Sequence, residues 1–153
     1  MKVLQKDESS LVRELYIYAF VDSESEWYIN HIKTMQSCVD GLCYDGYLWE
    51  CLKKGYKFIS VQHAIDILQS KKYIYLLYDL HSCEKILQPN YWKYAKAAVL
   101  FGSTEEFLSE MPHLPEDIYV FDDTFTWSVI FTHEITEKGR RICMCVENDK
   151  FIG

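Results

Sequence analysis

The clearest pattern in the chain is an alternation of large apolar and small polar residues near its C-terminal end. Every second residue from 125 to 131 is large and apolar: Phe125, Trp127, Val129 and Phe131. Successive side chains of a strand point to opposite faces, so this spacing predicts a half-buried strand. Asp122-Asp123 before it and Lys138-Gly139 after it have the turn chemistry of an antiparallel meander over residues 118–146.

The first part of the chain has helical spacing. Apolar residues at helical intervals predict helices over residues 8–21 and 23–35, with Ser9 or Ser10 as the N-cap of the first. The chain is therefore expected to open with N-terminal helices.

A βαβ unit is predicted in the middle of the chain. Lys57–Ile59 has strand composition, Ser60 is placed to cap a following helix, and Tyr73–Tyr78 is a continuous apolar run typical of a strand buried on both faces. Two strands joined by a helix at this spacing are expected to be parallel.

Two more helices are predicted between this unit and the meander. One covers about Tyr91 to Phe101, and a shorter one begins at Ser103, which stands three residues before Glu106 as in a capping box.

These elements predict one globular domain over residues 1–153. We expect the class α/β (α+β): a mixed sheet with a central βαβ unit, N-terminal helices and a C-terminal antiparallel meander. A chain of 153 residues can bury a real core, and no repeat or flexible linker divides it.

Charge and hydropathy narrow the function classes. The net charge is −7, which argues against nucleic-acid binding and suits either general solubility or a basic partner. The apolar runs are too short to cross a bilayer, and the first residues lack the apolar core of a signal peptide. We therefore expect a cytoplasmic protein that does not bind membranes.

The cysteines and glycines indicate no metal and no cofactor. The six cysteines contain no C-x-x-C pair and no zinc-ribbon spacing, and cytoplasmic thiols are expected to be reduced. The six glycines form neither dinucleotide-binding motif nor phosphate loop.

Thr132-His133-Glu134 is the one compact polar group with the appearance of a site. Residue 137 is glutamate, so the metalloprotease motif H-E-x-x-H is incomplete, and that motif also requires a helix. His133 follows the phase of the apolar face, so it is either an acid–base or partner-binding residue or a structural histidine bonded to its neighbours. Asp122 or Asp123 could assist it, although D-D-T more often makes a turn.

A second polar group follows the apolar strand. Asp79, His81 and Cys83 stand at the carboxyl end of Tyr73–Tyr78, where open α/β sheets bind ligands. A nucleophilic pair of Cys83 and His81 is conceivable, but no third member is identifiable.

Acidic residues also cluster where exposure is expected. They precede the second helix or flank the prolines, and beside exposed Tyr or Trp they would suit the capture of a basic protein. Helix-start acids also have a local explanation in the helix dipole. The candidate partner-binding residues are Asp22, Glu24, Glu26, Glu105, Glu106, Glu110, Glu116 and Asp117.

The order of three motifs resembles a family of small bacterial proteins without an assigned function. The motifs are Tyr47-Leu48-Trp49-Glu50, the strand Tyr73–Tyr78, and Asp122–Glu134 with its W-S-x-x-x-T-H-E ending. The resemblance covers roughly residues 45–146 and implies one α/β domain of bacterial or phage type. The usual ending of the family is replaced by Arg141-Ile142-Cys143-Met144-Cys145. In general character the chain is also similar to the immunity proteins of bacterial toxin systems.

Three functions follow as hypotheses. The first is a non-enzymatic immunity protein that neutralises a toxin by covering its basic active site with an acidic, aromatic-rich surface. The second is a small enzyme or ligand-binding domain that uses His133 and Glu134, and the third is a structural or regulatory accessory protein. The sequence leaves the oligomeric state open.

Overall fold

A seven-stranded antiparallel sheet organises the molecule. The computed structural model describes residues 1–82 and 93–148. Its strands are β1 (Lys2–Val3), β2 (Gln36–Cys38), β3 (Gly41–Cys43), β4 (Lys57–Ile59), β5 (Tyr73–Tyr78), β6 (Leu100–Ser103), β7 (Ile118–Phe121), β8 (Trp127–Ile135) and β9 (Arg141–Glu147). The large sheet has the order β1-β6-β5-β7-β8-β9-β4, and β2 and β3 form a separate hairpin.

Helices cover both faces of this sheet. They are α1 (Lys6–Phe20), α2 (Glu26–Tyr28), α3 (Val61–Gln69) and α4 (Thr104–Glu110). A π-helical segment continues α2, and two 3₁₀ turns complete the helical structure; these are Ile29–Lys33, Leu48–Cys51 and Met111–His113.

Two apolar cores lie on opposite sides of the sheet. On the side that we call the α1 face, Tyr16 and Phe20 of α1 pack against Tyr119 and Phe121 of β7. On the other side, the α3 face, helices α3 and α4 pack against the alternate residues of the same strands. The central strands are therefore buried on both faces.

The α+β class and the antiparallel meander are confirmed, but the mixed sheet is wrong. Every strand pairing is antiparallel. Strands β4 and β5 do run in the same direction on either side of α3, yet β9, β8 and β7 lie between them. The apolar run Tyr73–Tyr78 indicated burial on both faces, which an antiparallel strand under two helical layers also has.

The predicted alternation holds from Trp127 to Phe131, in the first part of β8, and fails on either side. Trp127, Val129 and Phe131 all pack on the α3 face. Phe125 instead packs on the α1 face, because its backbone is in the left-handed region with φ 51°. The half-buried strand was also wrong, since Ser128 is buried and its hydroxyl lies 2.8 Å from that of Tyr16.

Helix ends show which capping predictions hold. Ser60 and Ser103 cap α3 and α4 as expected, and Ser103 and Glu106 form the capping box. Helix α1 has no side-chain cap, and Ser9 is buried instead: its hydroxyl donates to the Leu4 carbonyl and accepts from Val99 N–H.

The predicted helix from Tyr91 to Phe101 is wrong where it can be compared. Residues 91 and 92 lie outside the described part, residues 93–99 form bends and turns, and residues 100 and 101 belong to β6. Only the end of the apolar run that resembled a helix is a strand, and the rest is irregular.

One pair of cysteines differs from the prediction of reduced thiols. Cys38 and Cys43 form a disulfide across the β2–β3 hairpin, with their Cα atoms 6.6 Å apart. The turn at Val39 and Asp40 brings them together, a contact that four intervening residues do not reveal in the sequence. Cys51, Cys143 and Cys145 are free.

None of the helices in the described ranges has the length and apolarity needed to span a membrane.

We expect Ser103→Ala to lower the free energy of unfolding by about 1 kcal/mol, because it removes an N-cap acceptor for the Glu106 N–H. Ser10→Ala is the matched control, since Ser10 is exposed within α1 and caps nothing. Urea unfolding monitored by circular dichroism measures both. Equal effects of the two substitutions would contradict the assigned cap.

Candidate functional site

The candidate site lies where β5 ends and β7 begins. The antiparallel register pairs Tyr78 with Ile118, so the next residues along it, Asp79 and Asp117, are neighbours at one end of the sheet. Both carboxylates are buried, with exposures of 3% and 6%. Two acids in such a place need hydrogen-bond donors, because a buried charge without partners strongly destabilises a fold.

Asp79 receives three donors. The hydroxyl of Tyr44 and the backbone N–H of Leu48 donate to Oδ1 at 2.9 and 3.0 Å, and the hydroxyl of Tyr119 donates to Oδ2 at 2.7 Å. Burial raises the pKa of Asp79 from 3.8 to about 6, although His81 and the bonds from Tyr119 and Leu48 oppose the rise. Asp79 thus fixes the 3₁₀ turn Leu48–Cys51 against the sheet.

Trp49 connects the two acids. Its backbone N–H donates to the hydroxyl of Tyr119 at 3.0 Å, and its indole N–H donates to Asp117 Oδ1 at 2.9 Å. The indole is therefore held at both its backbone and its ring. The Trp49 side chain is only partly buried, so the rest of the indole forms part of the protein surface.

Asp117 holds His133. The Nδ1 atom of His133 lies 3.0 Å from Oδ2 of Asp117, and the backbone N–H of His133 donates to Oδ1 at 3.1 Å. Burial lowers the pKa of His133, but the hydrogen bond and charge of Asp117 outweigh it, so the pKa lies above its ordinary value. The other ring nitrogen, Nε2, lies 3.4 Å from Oε1 of Glu134.

His133 does not share the face of Phe131, contrary to the sequence prediction. The β8–β9 pairing is irregular between Phe131 and Ile135, and this shift interrupts the alternation of faces. The His133 ring consequently meets Tyr47 and Trp49 on the α1 face, with ring centroids 4.9 and 6.1 Å away.

Tyr47 forms the outer part of this cluster. Its ring stacks on Trp49 at 5.3 Å and meets His81 edge-on at 4.5 Å. Burial, with Asp117 and other nearby acids, raises the pKa of Tyr47 to about 12. His81 is fixed in turn, since its Nε2 lies 2.7 Å from the Gly46 carbonyl oxygen.

An open groove of about 540 Å³ adjoins this cluster, and we call it the aromatic groove. Four aromatic side chains and two carboxylates line it, together with three other residues of β8 and β9. The lining residues are Trp27, Trp49, Tyr56, Phe58, Glu50, Glu134, Thr132, Ile142 and Met144. Aromatic faces and carboxylates both attract cations, so a basic or cationic group fits this groove.

The predicted polar site is only partly assembled. Thr132 and Glu134 line the aromatic groove, and His133 adjoins it. Asp122 and Asp123 lie in the β7–β8 turn, at the other end of β8. Asp122 accepts a bond from the Trp127 indole at 2.7 Å and makes the turn, so its predicted assistance to His133 is wrong.

The acidic residues predicted to bind a partner do not form one continuous rim. Asp22, Glu24 and Glu26 are exposed beside α2 on the α1 face, whereas Glu105 and Glu106 are exposed on α4 over the α3 face. Glu116 is exposed two residues before β7.

Glu110 and Asp117 are held by other parts of the fold. Glu110 pairs with the Met1 ammonium and with Lys93, each at 3.1 Å. Asp117 is buried rather than exposed, because its carboxylate accepts hydrogen bonds from His133 and Trp49. The sequence did not reveal this role, since Asp117 follows Pro115 and Glu116 in what looks like a polar loop.

The second predicted pair is not assembled in the described residues. His81 contacts Gly46 and Tyr47, and Cys83 lies outside the described part of the chain. Nor do the described ranges contain a group of three His, Cys, Asp or Glu side chains that could hold a metal ion.

Comparisons of the chain with protein-family models, with curated proteins and with solved structures found no match. The resemblance to the bacterial family and the immunity-protein character therefore stay predictions.

We expect the stability of the wild type, relative to Asp79→Asn, to fall by about 2 kcal/mol as the pH rises from 4 to 6. The folded-state pKa is raised above the unfolded value of 3.8, so the folded protein holds the proton more tightly and loses stability as that proton leaves. Urea unfolding of both proteins across this range measures the difference. A flat or rising difference would refute the buried, desolvated carboxylate.

We expect Asp117→Asn to lower the pKa of His133, because it removes the neighbouring negative charge. NMR titration of the imidazole signals measures this shift. The signals of His63, which lies on α3 across the sheet from Asp117, serve as the internal control. An unchanged His133 titration would show that Asp117 does not set its charge.

Proposed function

We propose that this protein is a non-enzymatic binding protein that holds a basic segment of a partner protein in the aromatic groove. The observation that carries the proposal is the convergence of four aromatic side chains with Glu50 and Glu134 at one open surface. A Lys or Arg side chain placed there gains a carboxylate partner and aromatic faces together.

The aromatic walls are available to a partner. Trp27 and Tyr56 are each 42% exposed, and Phe58 is 66% exposed. Large exposed aromatic residues that cluster beside charged groups are typical anchors of protein interfaces. Trp49, in contrast, is fixed from behind by Tyr119 and Asp117, which lowers the ordering cost of binding.

The net charge of −7 supports the same class of partner, because an acidic protein attracts a basic one over long range. Within this class we propose an immunity protein that acts in the cytoplasm and covers the basic active site of a cognate toxin. Co-purification with the product of the neighbouring gene tests the partner. A neighbouring product that is neither toxic nor bound would refute this assignment without touching the groove.

A second candidate, an acid–base enzyme, is favoured by one observation. Asp117 holds Nδ1 of His133 and leaves Nε2 beside Glu134 at a partly exposed position, as a general base requires. His133→Gln, checked for unchanged melting, separates the candidates. Loss of turnover in a hydrolase screen would support the enzyme, and unchanged partner binding without any turnover would support the binding protein.

We expect Trp27→Ala to weaken binding of an arginine-rich peptide about tenfold or more. Glu134→Gln should weaken it several-fold, and its effect should be larger at low salt because salt screens the contact between charges. Trp27 is partly exposed, so its removal should leave the fold intact. Isothermal titration calorimetry at two salt concentrations measures both changes.

Glu137→Gln is the control for charge alone. It makes the same change of net charge at an exposed turn between β8 and β9, outside the groove. Equal weakening by Glu137→Gln and Glu134→Gln would mean that the peptide responds to net charge, and the groove would not be its site.

A further inference from the structure

Strand β4 is an outer strand of the large sheet. It pairs with β9 on one side, and within residues 1–82 and 93–148 no strand pairs with its other side. Phe58, in the middle of β4, is 66% exposed. An open strand edge with an exposed aromatic residue can accept another strand through its backbone.

Grooves flank this edge on both faces of the sheet. Phe58 pairs with Met144, which belongs to the core of the α1 face, and Ile59 pairs with Cys143 on the α3 face. The aromatic groove accordingly opens beside β4 on the α1 face.

A second groove, of about 670 Å³, opens beside β4 on the α3 face, and we call it the β4–α3 groove. It is lined by apolar side chains and two arginines, among them Ile59, Val61, Ile142, Arg140 and Arg141. Phe58 is shared by the two grooves.

A strand added to β4 would reach both grooves at once. Successive side chains of a strand point to opposite faces, so one set would lie over the aromatic groove and the other over the β4–α3 groove. The charges of the two grooves differ in sign: Glu50 and Glu134 line the first, and Arg140 and Arg141 line the second.

We propose that the partner binds as an extended segment added to the free edge of β4, with basic and large apolar residues in alternation. This inference rests on the proposed function and specifies how the basic segment is held. Basic side chains enter the aromatic groove, and apolar side chains enter the β4–α3 groove.

The arginines make this register specific. A shift of one residue would move every basic side chain to the β4–α3 groove, beside Arg140 and Arg141, where like charges repel. Lys57 does not line this groove but lies on the same face as Ile59 by the alternation of β4. The short length of β4, three residues, limits the number of backbone bonds, so side-chain fit decides the affinity.

Synthetic peptides test the proposal. We expect a short peptide that alternates arginine and valine to bind at least about tenfold more tightly than a peptide of the same composition in which the arginines and valines form two blocks. Two N-methylated forms of the alternating peptide test the backbone: one methylated at every arginine, the other at every valine. Strand pairing uses the N–H groups of alternate residues, so one form should lose about tenfold or more and the other should not. Fluorescence anisotropy measures all four affinities.

The outcomes separate this inference from the proposed function. Equal binding of alternating and block peptides, with equal tolerance of both methylation patterns, would overturn strand addition, while weakening of both peptides by Glu134→Gln would keep the groove. Absence of any binding by the arginine peptides would refute the proposed function itself. A concentration-dependent dimer that the alternating peptide cannot dissociate would assign the free edge to a second copy of the chain and overturn the inference.

Discussion

The hydrogen bonds of the buried Asp79 carboxylate hold in place the turn that presents Trp49 and Glu50 at the surface. The carboxylate accepts hydrogen bonds from Tyr44, Leu48 and Tyr119, and these tie a loop and the 3₁₀ turn that follows it to strand β7, which is distant in the chain. A charged or neutral carboxyl group can satisfy such donors only if all three elements are in place together. The turn that carries Trp49 and Glu50 is therefore fixed by a polar contact below it as well as by apolar packing.

Asp117 extends this constraint to the surface. It binds the indole of Trp49 and the ring of His133, so one acid orients two groups that come from opposite sides of the groove region. Its negative charge also favours protonated His133, which compensates part of the local excess of acids. The cluster thus balances buried charge within itself, while Glu50 and Glu134 remain exposed to a partner.

Local features of the fold were predictable because neighbouring residues determine them. Ser60 and Ser103 cap helices through their own side chains, and the turn at Asp122 follows from short polar residues between apolar runs. The strand order was not predictable, because the pairing of β4 with β9 depends on contacts between residues 57–59 and 143–145.

The site was half predictable for a related reason. Thr132-His133-Glu134 stood out in the sequence, but its acid, Asp117, lies 16 residues away and is chosen by the register of β7 against β8. The face of His133 depends on the pairing shift after Phe131, and that of Phe125 on one left-handed backbone angle. Neither irregularity is marked in the sequence by a glycine or a proline at the residue concerned.

The position of β4 at the sheet edge has a consequence for how the protein matures. Residues 57–59 leave the ribosome long before residues 141–147, yet among the described strands β4 pairs with β9 alone. Contacts of such large sequence separation form late, because a long loop must close first. The aromatic groove, whose walls extend from Trp27 to Met144, therefore does not exist on a nascent chain. A partner that recognises this groove can therefore bind only the fully synthesised and folded chain.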